Sequence, residues 1–260
     1  MKIAYCFSGM IRNLDECGPK WKQIIENNPG DIYGHFWDIS DKSNDTDTPD
    51  KFVELFNPKK IELENYSVFK ESTVDIMLQN IIIPQTLWGA IQDSIRDGRF
   101  ISFHYKIWKA NQLTLLDNYD IVVRCRTDCY PDTSIKFEIN DMLNIPRGKI
   151  YIPDWMNSAG IIDLFAYGNR KIMNYYSCVY LYMMKYLHQG YYCYPYEYIL
   201  ATHLNHKDIK IRELFMDIFS SKHESYNSWA TKCETIYNTH LLQPSEMDSR
   251  FRPYTENRLL

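Results

Sequence analysis

The stretch YDIVVRCRTDCYPD, residues 119–132, joins an apolar run to Arg124, Arg126 and Asp128, with Asp132 just beyond a proline. If the run is a β-strand, alternate side chains share a face. Ile121, Val123, Cys125 and Thr127 then form one face, expected to be core, while Val122, Arg124, Arg126 and Asp128 form another that becomes charged toward its carboxyl end. In open α/β sheets, ligands sit outside the carboxyl ends of the strands. A carboxylate there, with Asp132 past the Pro131 turn, suits a hard cation such as Mg²⁺ or Mn²⁺ holding a diphosphate. The competing reading of the same residues is an Arg126–Asp128 ion pair on a solvated strand end.

A second constellation follows the first apolar run. In FSGMIRN (7–13), Gly9 lets the backbone come close to a ligand, and Arg12 is suited to bidentate pairing with phosphate oxygens. Against this stands an ordinary turn, and no G-x-G-x-x-G fingerprint is present. In GIIDLFAYG (160–168), Asp163 interrupts an apolar run and shares parity with Ile161, Phe165 and Tyr167. A buried carboxylate needs a partner or a cleft, so Asp163 is either a general base for a hydroxyl or a residue held by loop amides. Glu197 follows Pro195 at the start of a helical pattern; it is a site carboxylate or a first-turn complement to the helix dipole. Asp38 ends the second apolar run and is a candidate contact to a ribose or base, whereas Trp37 beside it reads as core. His203 and His206 are three apart and are metal ligands or, more simply, core and surface histidines. Cys125 and Cys129 do not make a redox motif and read as packing. Walker A, G-x-S-x-G and H-E-x-x-H motifs are absent, which argues against an NTPase, an α/β-hydrolase and a zinc protease.

The elements that must position these groups alternate. KIAYCFS (2–8), DIYGHFWDI (31–39), KKIELENY (59–66), the 119–132 stretch, KIYIPDW (149–155) and GIIDLFAYG (160–168) read as strands. WKQIIENN (21–28), most of 87–118 with a break near Gly98, 170–188 and 196–205 read as helices, with SDKSNDTDTPD (40–50) as a surface loop and a polar, irregular tail. This alternation predicts one α/β domain, Rossmann-like, with a mostly parallel central sheet flanked by helices. The length of 260 residues, with 45% hydrophobic and 24% charged, excludes wholesale disorder. A net charge of −4 without a basic run argues against a nucleic-acid partner. No apolar run is long enough for a membrane span. With 7 scattered cysteines and a short, quickly polar start, a cytoplasmic, reducing location is expected.

The order of CFSGMIRN (6–13), DIYGHFWD (31–38), YDIVVRCRTDCY (119–130), GIIDLFAYGN (160–169) and YPYEYILATHLN (194–205) resembles a family of GT-A-type glycosyltransferases found among bacterial surface-polysaccharide genes and in large DNA viruses. The resemblance implies a single GT-A-like domain over 1–260, with a donor-binding part to about 130, an acceptor-side part over 131–210 and an extension from 211. It implies transfer of a hexosyl or pentosyl group from a UDP- or GDP-sugar to a glycan hydroxyl, in the host cytoplasm if the chain is viral. Ser8, Gly9, Arg12, Asn13, Asp38 and Arg126 would bind the donor, and Asp128 would hold Mn²⁺ or Mg²⁺ as the aspartate of an Arg-x-Asp version of the D-x-D motif. Asp163 and Glu197 would be the catalytic carboxylates. The chain departs from a full D-x-D, with Arg126 and Tyr130 two residues either side of Asp128; an arginine would then offset diphosphate charge. The alternatives are a non-catalytic relative that binds a nucleotide sugar or glycan, and a Rossmann-like methyltransferase. The latter would want a glycine-rich first loop that SGMIRN does not supply.

Overall fold

The computed structural model describes residues 1–39, 47–80, 98–137, 149–153, 163–188, 196–205, 210–214 and 218–220. In chain order, β1 (Ile3–Gly9), α1 (Leu14–Asn27), β2 (Asp31–Trp37), α2 (Pro49–Phe56) and β3 (Lys60–Glu64) come first. A helical run follows: α3 (Tyr66–Phe69), a π-helical turn (Lys70–Val74) and α4 (Asp75–Gln79). Then come α5 (Arg99–Gln112), β4 (Ile121–Cys125), β5 (Cys129–Pro131), β6 (Lys149–Pro153) and β7 (Ala166–Asn169). The last described elements are α6 (Arg170–Ser177), α7 (Val179–His188), α8 (Tyr196–Asn205), β8 (Lys210–Leu214) and β9 (Ile218–Ser220).

Side-chain alternation along β1 builds the architecture. Ala4 and Cys6 enter one apolar layer; Ile3, Tyr5 and Phe7 enter another on the opposite face. A strand covered on both faces reads as a near-continuous apolar run, and its neighbours tend to be parallel. Both neighbours, β2 and β4, are parallel to β1. The 7-stranded sheet has the order β3-β2-β1-β4-β7-β6-β8, with β7 antiparallel to β4 and β6, and a small second sheet pairs β5 with β9. One face is covered by α1 and α2 through Trp21, Ile24, Phe52 and Phe56. The other is covered by α5 to α8 through residues such as Ile107, Tyr176, Met183 and Leu200. The fold is therefore α/β, with a mostly parallel sheet between helical layers, as the alternation of elements predicts.

The chain runs from β1 outward to β2 and β3, then returns to place β4 on β1's other side. That reversal between β1 and β4 is a topological switch point, where the loops leaving two adjacent carboxyl ends diverge and open a crevice.

Several expectations are corrected. The opposite face of β4 is not a solvated charged face: all five residues are buried, and Arg124 is only 2% exposed. The first helix begins at Leu14, well before residue 21, and includes Pro19. The loop expected over 40–50 gives way to α2 at Pro49, where the Thr48 hydroxyl accepts from the Lys51 amide and proline takes the first helical position; residues 40–46 lie outside the described ones. The helix expected over 170–188 is interrupted at Cys178. The tail, expected to be irregular, contributes β8 to the sheet, paired parallel to β6. Of the helix expected over 87–118, α5 starts just after Gly98, which is its N-cap, and residues 87–97 lie outside the described ones. Gly98 has φ of 59°, a left-handed conformation, and a Cβ there would lie 1.9 Å from Val74 Cγ1.

One buried cation supports the cleft wall. Lys106 of α5 is fully buried; its Nζ donates to Phe36 O at 2.8 Å and Glu64 Oε2 at 3.1 Å, and lies 3.1 Å from His35 Nδ1. It also sits 3.5 Å from the centroid of the Trp37 ring, a close cation–π contact. Burial lowers the Lys106 pKa to about 8, against the opposing pull of Glu64. The unfolded value is about 10.4, so between these values the unfolded chain binds more protons, and stability contributed by this group rises with pH. Urea unfolding of the wild type and Lys106→Met should show the difference moving in favour of the wild type between pH 8 and pH 10. A difference constant over that interval would contradict the assignment.

Candidate functional site

The crevice at the switch point is a cleft of about 630 Å³. Five residues marked out in the sequence converge on it: Ser8 and Gly9 at the end of β1, Arg12 in the following loop, and Arg126 and Asp128 just beyond β4. Gly9 has φ of 114°, which disfavours a side chain, and the space where a Cβ would sit is open. Ser8 is buried, and its Oγ has no hydrogen-bond partner among the described residues.

Asp128 is the centre of this arrangement. Arg126 donates from Nε to Oδ1 and from Nη2 to Oδ2, each at 2.7 Å, and Arg12 Nη2 reaches Oδ2 at 2.9 Å. The Arg126–Asp128 ion pair set out as the competing reading is therefore present, with a second arginine added. Burial by itself would raise the Asp128 pKa, but Arg126 and then Arg12 outweigh it and hold the carboxyl well below the usual range. The backbone around these charges is pinned. The Trp21 indole donates to Arg126 O at 2.9 Å and Cys129 O at 2.7 Å. The Thr127 hydroxyl accepts from the Arg12 amide at 3.0 Å and donates to Met10 O at 3.2 Å, tying the β1 loop to the β4 end.

Further residues of the lining were not marked out by the sequence pattern. Lys70 and Arg99 add positive charge, although Lys70 also pairs with Asp75 at 3.1 Å. Trp37, Tyr66 and Phe103 add aromatic surface. The Phe103 ring lies 5.4 Å from the Arg124 guanidinium carbon and 5.8 Å from that of Arg126. Lys70, Arg99 and Phe103 lie outside both motifs in sequence, and no local pattern brings them to the cleft.

Other expected residues lie elsewhere. Asp38 does not line the cleft among the described residues; its carboxylate accepts from Asn65 Nδ2 at 2.7 Å and the Tyr66 amide at 3.0 Å, so it positions Tyr66. Asn13 is the left-handed N-cap of α1, with φ of 58°. Asp132 accepts from the Ser134 amide at 2.7 Å and closes a turn. Asp163 is buried and is not among the described residues that line the cleft. Burial raises its pKa, while Arg126 and Arg124 pull it down. Glu197 falls in the first turn of α8, and its side chain lies outside the described residues. His203 is core: Tyr186 OH lies 2.8 Å from Nδ1, and Nε2 lies 2.7 Å from Tyr175 O. His206 is outside the described residues. Cys125 and Cys129 are buried free thiols in the apolar layer, as packing requires.

The described residues that line the cleft are not arranged as a divalent-cation site. Asp128 is the one carboxylate among the described lining residues, and both its oxygens already accept from guanidinium groups. Among the described residues no group of three or more His, Cys, Asp or Glu side chains is arranged to hold a metal. The chemistry on offer is instead recognition of an anion next to a flat ring: guanidinium and ammonium groups, an orphaned hydroxyl and aromatic faces.

The indole of Trp21 holds the loop that carries both charges. Trp21→Phe should therefore lower stability by about 1–3 kcal/mol, the usual cost of leaving buried carbonyls without their donor. Urea unfolding checks this, and a loss within the noise of the measurement would contradict it.

No protein-family model matches the chain, and no curated protein matches its sequence. Among solved structures it is similar to mouse xyloside xylosyltransferase 1 in its apo form, with a TM-score of 0.36 and 12% identity over 81% of this chain and 85% of that one. That overlap is too loose to define a common fold. No helix among the described residues is long and apolar enough to cross a membrane.

Proposed function

We propose that this chain is a glycosyltransferase that moves a hexosyl or pentosyl group from a UDP- or GDP-sugar to a hydroxyl of a glycan. The observation that carries the reading is the convergence of Ser8, Gly9, Arg12, Arg126 and Asp128 on one cleft at the carboxyl ends of β1 and β4. These are the positions at which the ordered motifs resemble the glycosyltransferase family. The volume of about 630 Å³ is in the range of small-molecule sites.

In this reading the donor diphosphate lies against Arg12 and Arg126, and its base or sugar ring lies on Trp37, Tyr66 or Phe103. Transfer leaves negative charge on the departing nucleoside diphosphate. Cations already held in position stabilise that charge without reorganising as it forms. The acceptor hydroxyl must lose a proton, and Asp163 is the first residue assigned to take it, with Glu197 the second. A carboxylate with a raised pKa is a better proton acceptor once ionised, and the opposing pull of Arg126 and Arg124 favours that ionisation.

A panel of UDP- and GDP-sugars tests the reading, scored by calorimetric binding and by slow release of nucleoside diphosphate. At least one donor should bind and be slowly hydrolysed. Asp163→Asn should keep donor binding and lose about 10²-fold or more in transfer, the usual contribution of a general base. Binding of no donor would overturn the reading. Donor binding without turnover would favour a non-catalytic relative, and full transfer by Asp163→Asn would remove that residue as the base.

A further inference from the structure

We infer that, if the cleft is a donor site as proposed, its diphosphate is held by an arginine cradle of Arg12 and Arg126 in place of a divalent cation. Asp128 is the internal anion that keeps both guanidinium groups in position until the ligand arrives. The inference rests on the donor-site reading and specifies how that site handles charge.

The occupancy of Asp128 comes first. A cation-binding carboxylate must offer lone pairs, yet Oδ1 faces Arg126 Nε, and Oδ2 faces Arg126 Nη2 and Arg12 Nη2, all within 2.9 Å. The Arg126 pair is the bidentate fork that makes arginine–carboxylate contacts strong and directional. A divalent ion at Asp128 would have to displace these donors and sit beside two positive groups that repel it. The lining contains no second described carboxylate to share the ion.

The same surroundings favour an anion. Ser8 Oγ, buried at the β1 end and lining the cleft, has no partner among the described residues. Gly9 leaves the adjacent backbone open to close approach. Lys70 and Arg99 extend the cationic lining. Arg124, at the end of β4, is buried with Nε and Nη2 lacking partners among the described residues, and its guanidinium carbon lies 5.4 Å from the ring of Phe103, which lines the cleft.

The cradle is also held ready. Arg126 is anchored through its carbonyl to Trp21, and Arg12 through its amide to Thr127. With the backbone fixed, the carboxylate of Asp128 orients the guanidinium heads, which lowers the ordering cost when a ligand binds. A diphosphate carries more charge and more acceptor oxygens than one carboxylate. It can therefore compete with the Asp128 carboxylate for the N–H donors that both arginines present to it.

Calorimetric titration of the full chain with UDP, GDP and inorganic pyrophosphate, in EDTA and again in Mg²⁺ or Mn²⁺, tests this. At least one nucleotide should bind in EDTA with the affinity it shows in either cation, and Arg12→Ala and Arg126→Ala should each weaken it by about tenfold or more. Nucleotide binding that appears only with a divalent cation would overturn the inference while leaving the donor-site reading intact. Pyrophosphate binding in EDTA with neither nucleotide bound would support the cradle and overturn the donor-site reading. Silence from all three ligands in every buffer would overturn both. The wild-type comparison of EDTA with cation does not depend on whether either variant folds.

Discussion

The structure depends on one shared carboxylate. Asp128 holds Arg126 and Arg12 together, and these residues belong to segments far apart in sequence: the turn after β4 and the loop after β1. Two charge-assisted hydrogen bonds and an ion pair in a largely buried setting are together worth more than neutral contacts. Their value is realised only because neighbouring groups prevent relaxation. Trp21 fixes the carbonyls on either side of Asp128, and Thr127 fixes the amide of Arg12. Without these contacts the same charges would behave as a surface ion pair of small consequence.

The sheet explains why the carboxylate is where it is. β1 and β4 are parallel neighbours on which the chain reverses direction of growth, so their carboxyl ends open together and their loops part. Apolar layers on both faces make these strands rigid, and the polar ends project from a fixed frame. Lys106 extends the frame to the aromatic wall, since it joins Phe36, Glu64 and His35 beneath the Trp37 ring. A charge buried in this way costs stability, and its several partners offset that cost only in this geometry.

Much of this was legible in the sequence. The apolar run points to charge at its carboxyl end, although β4 stops at Cys125 and Arg126 and Asp128 lie in the bend beyond it; the glycine turn marks Ser8, Gly9 and Arg12, and alternation of strands with helices predicts the sheet. Parity fails at Arg124, because it assumes that a charged side chain faces water, whereas α5 covers that face and Phe103 meets the guanidinium. The start of α1 is hidden by Gly18 and Pro19, which usually break helices. Pairing across the sheet makes β8 a strand from a tail that lacks local signal. Lys70, Arg99, Tyr66 and Phe103 reach the cleft only through tertiary packing, so local spacing does not reveal them. Asp38 shows the opposite error: a strand-end carboxylate of the right type serves to hold the Tyr66 loop.

The central claim is that Asp128 and a bound diphosphate address the same arginines. A double-mutant cycle on UDP affinity, measured in EDTA, tests it most directly, with Asp128→Asn introduced into the wild type and into Arg126→Ala. If the claim holds, Asp128→Asn weakens binding where Arg126 is present and has a smaller effect where it is absent and only Arg12 is left to be oriented, with a coupling of about 0.5–3 kcal/mol. Equal weakening by Asp128→Asn in both backgrounds would contradict the account, since it would assign the carboxylate a direct role in holding the ligand.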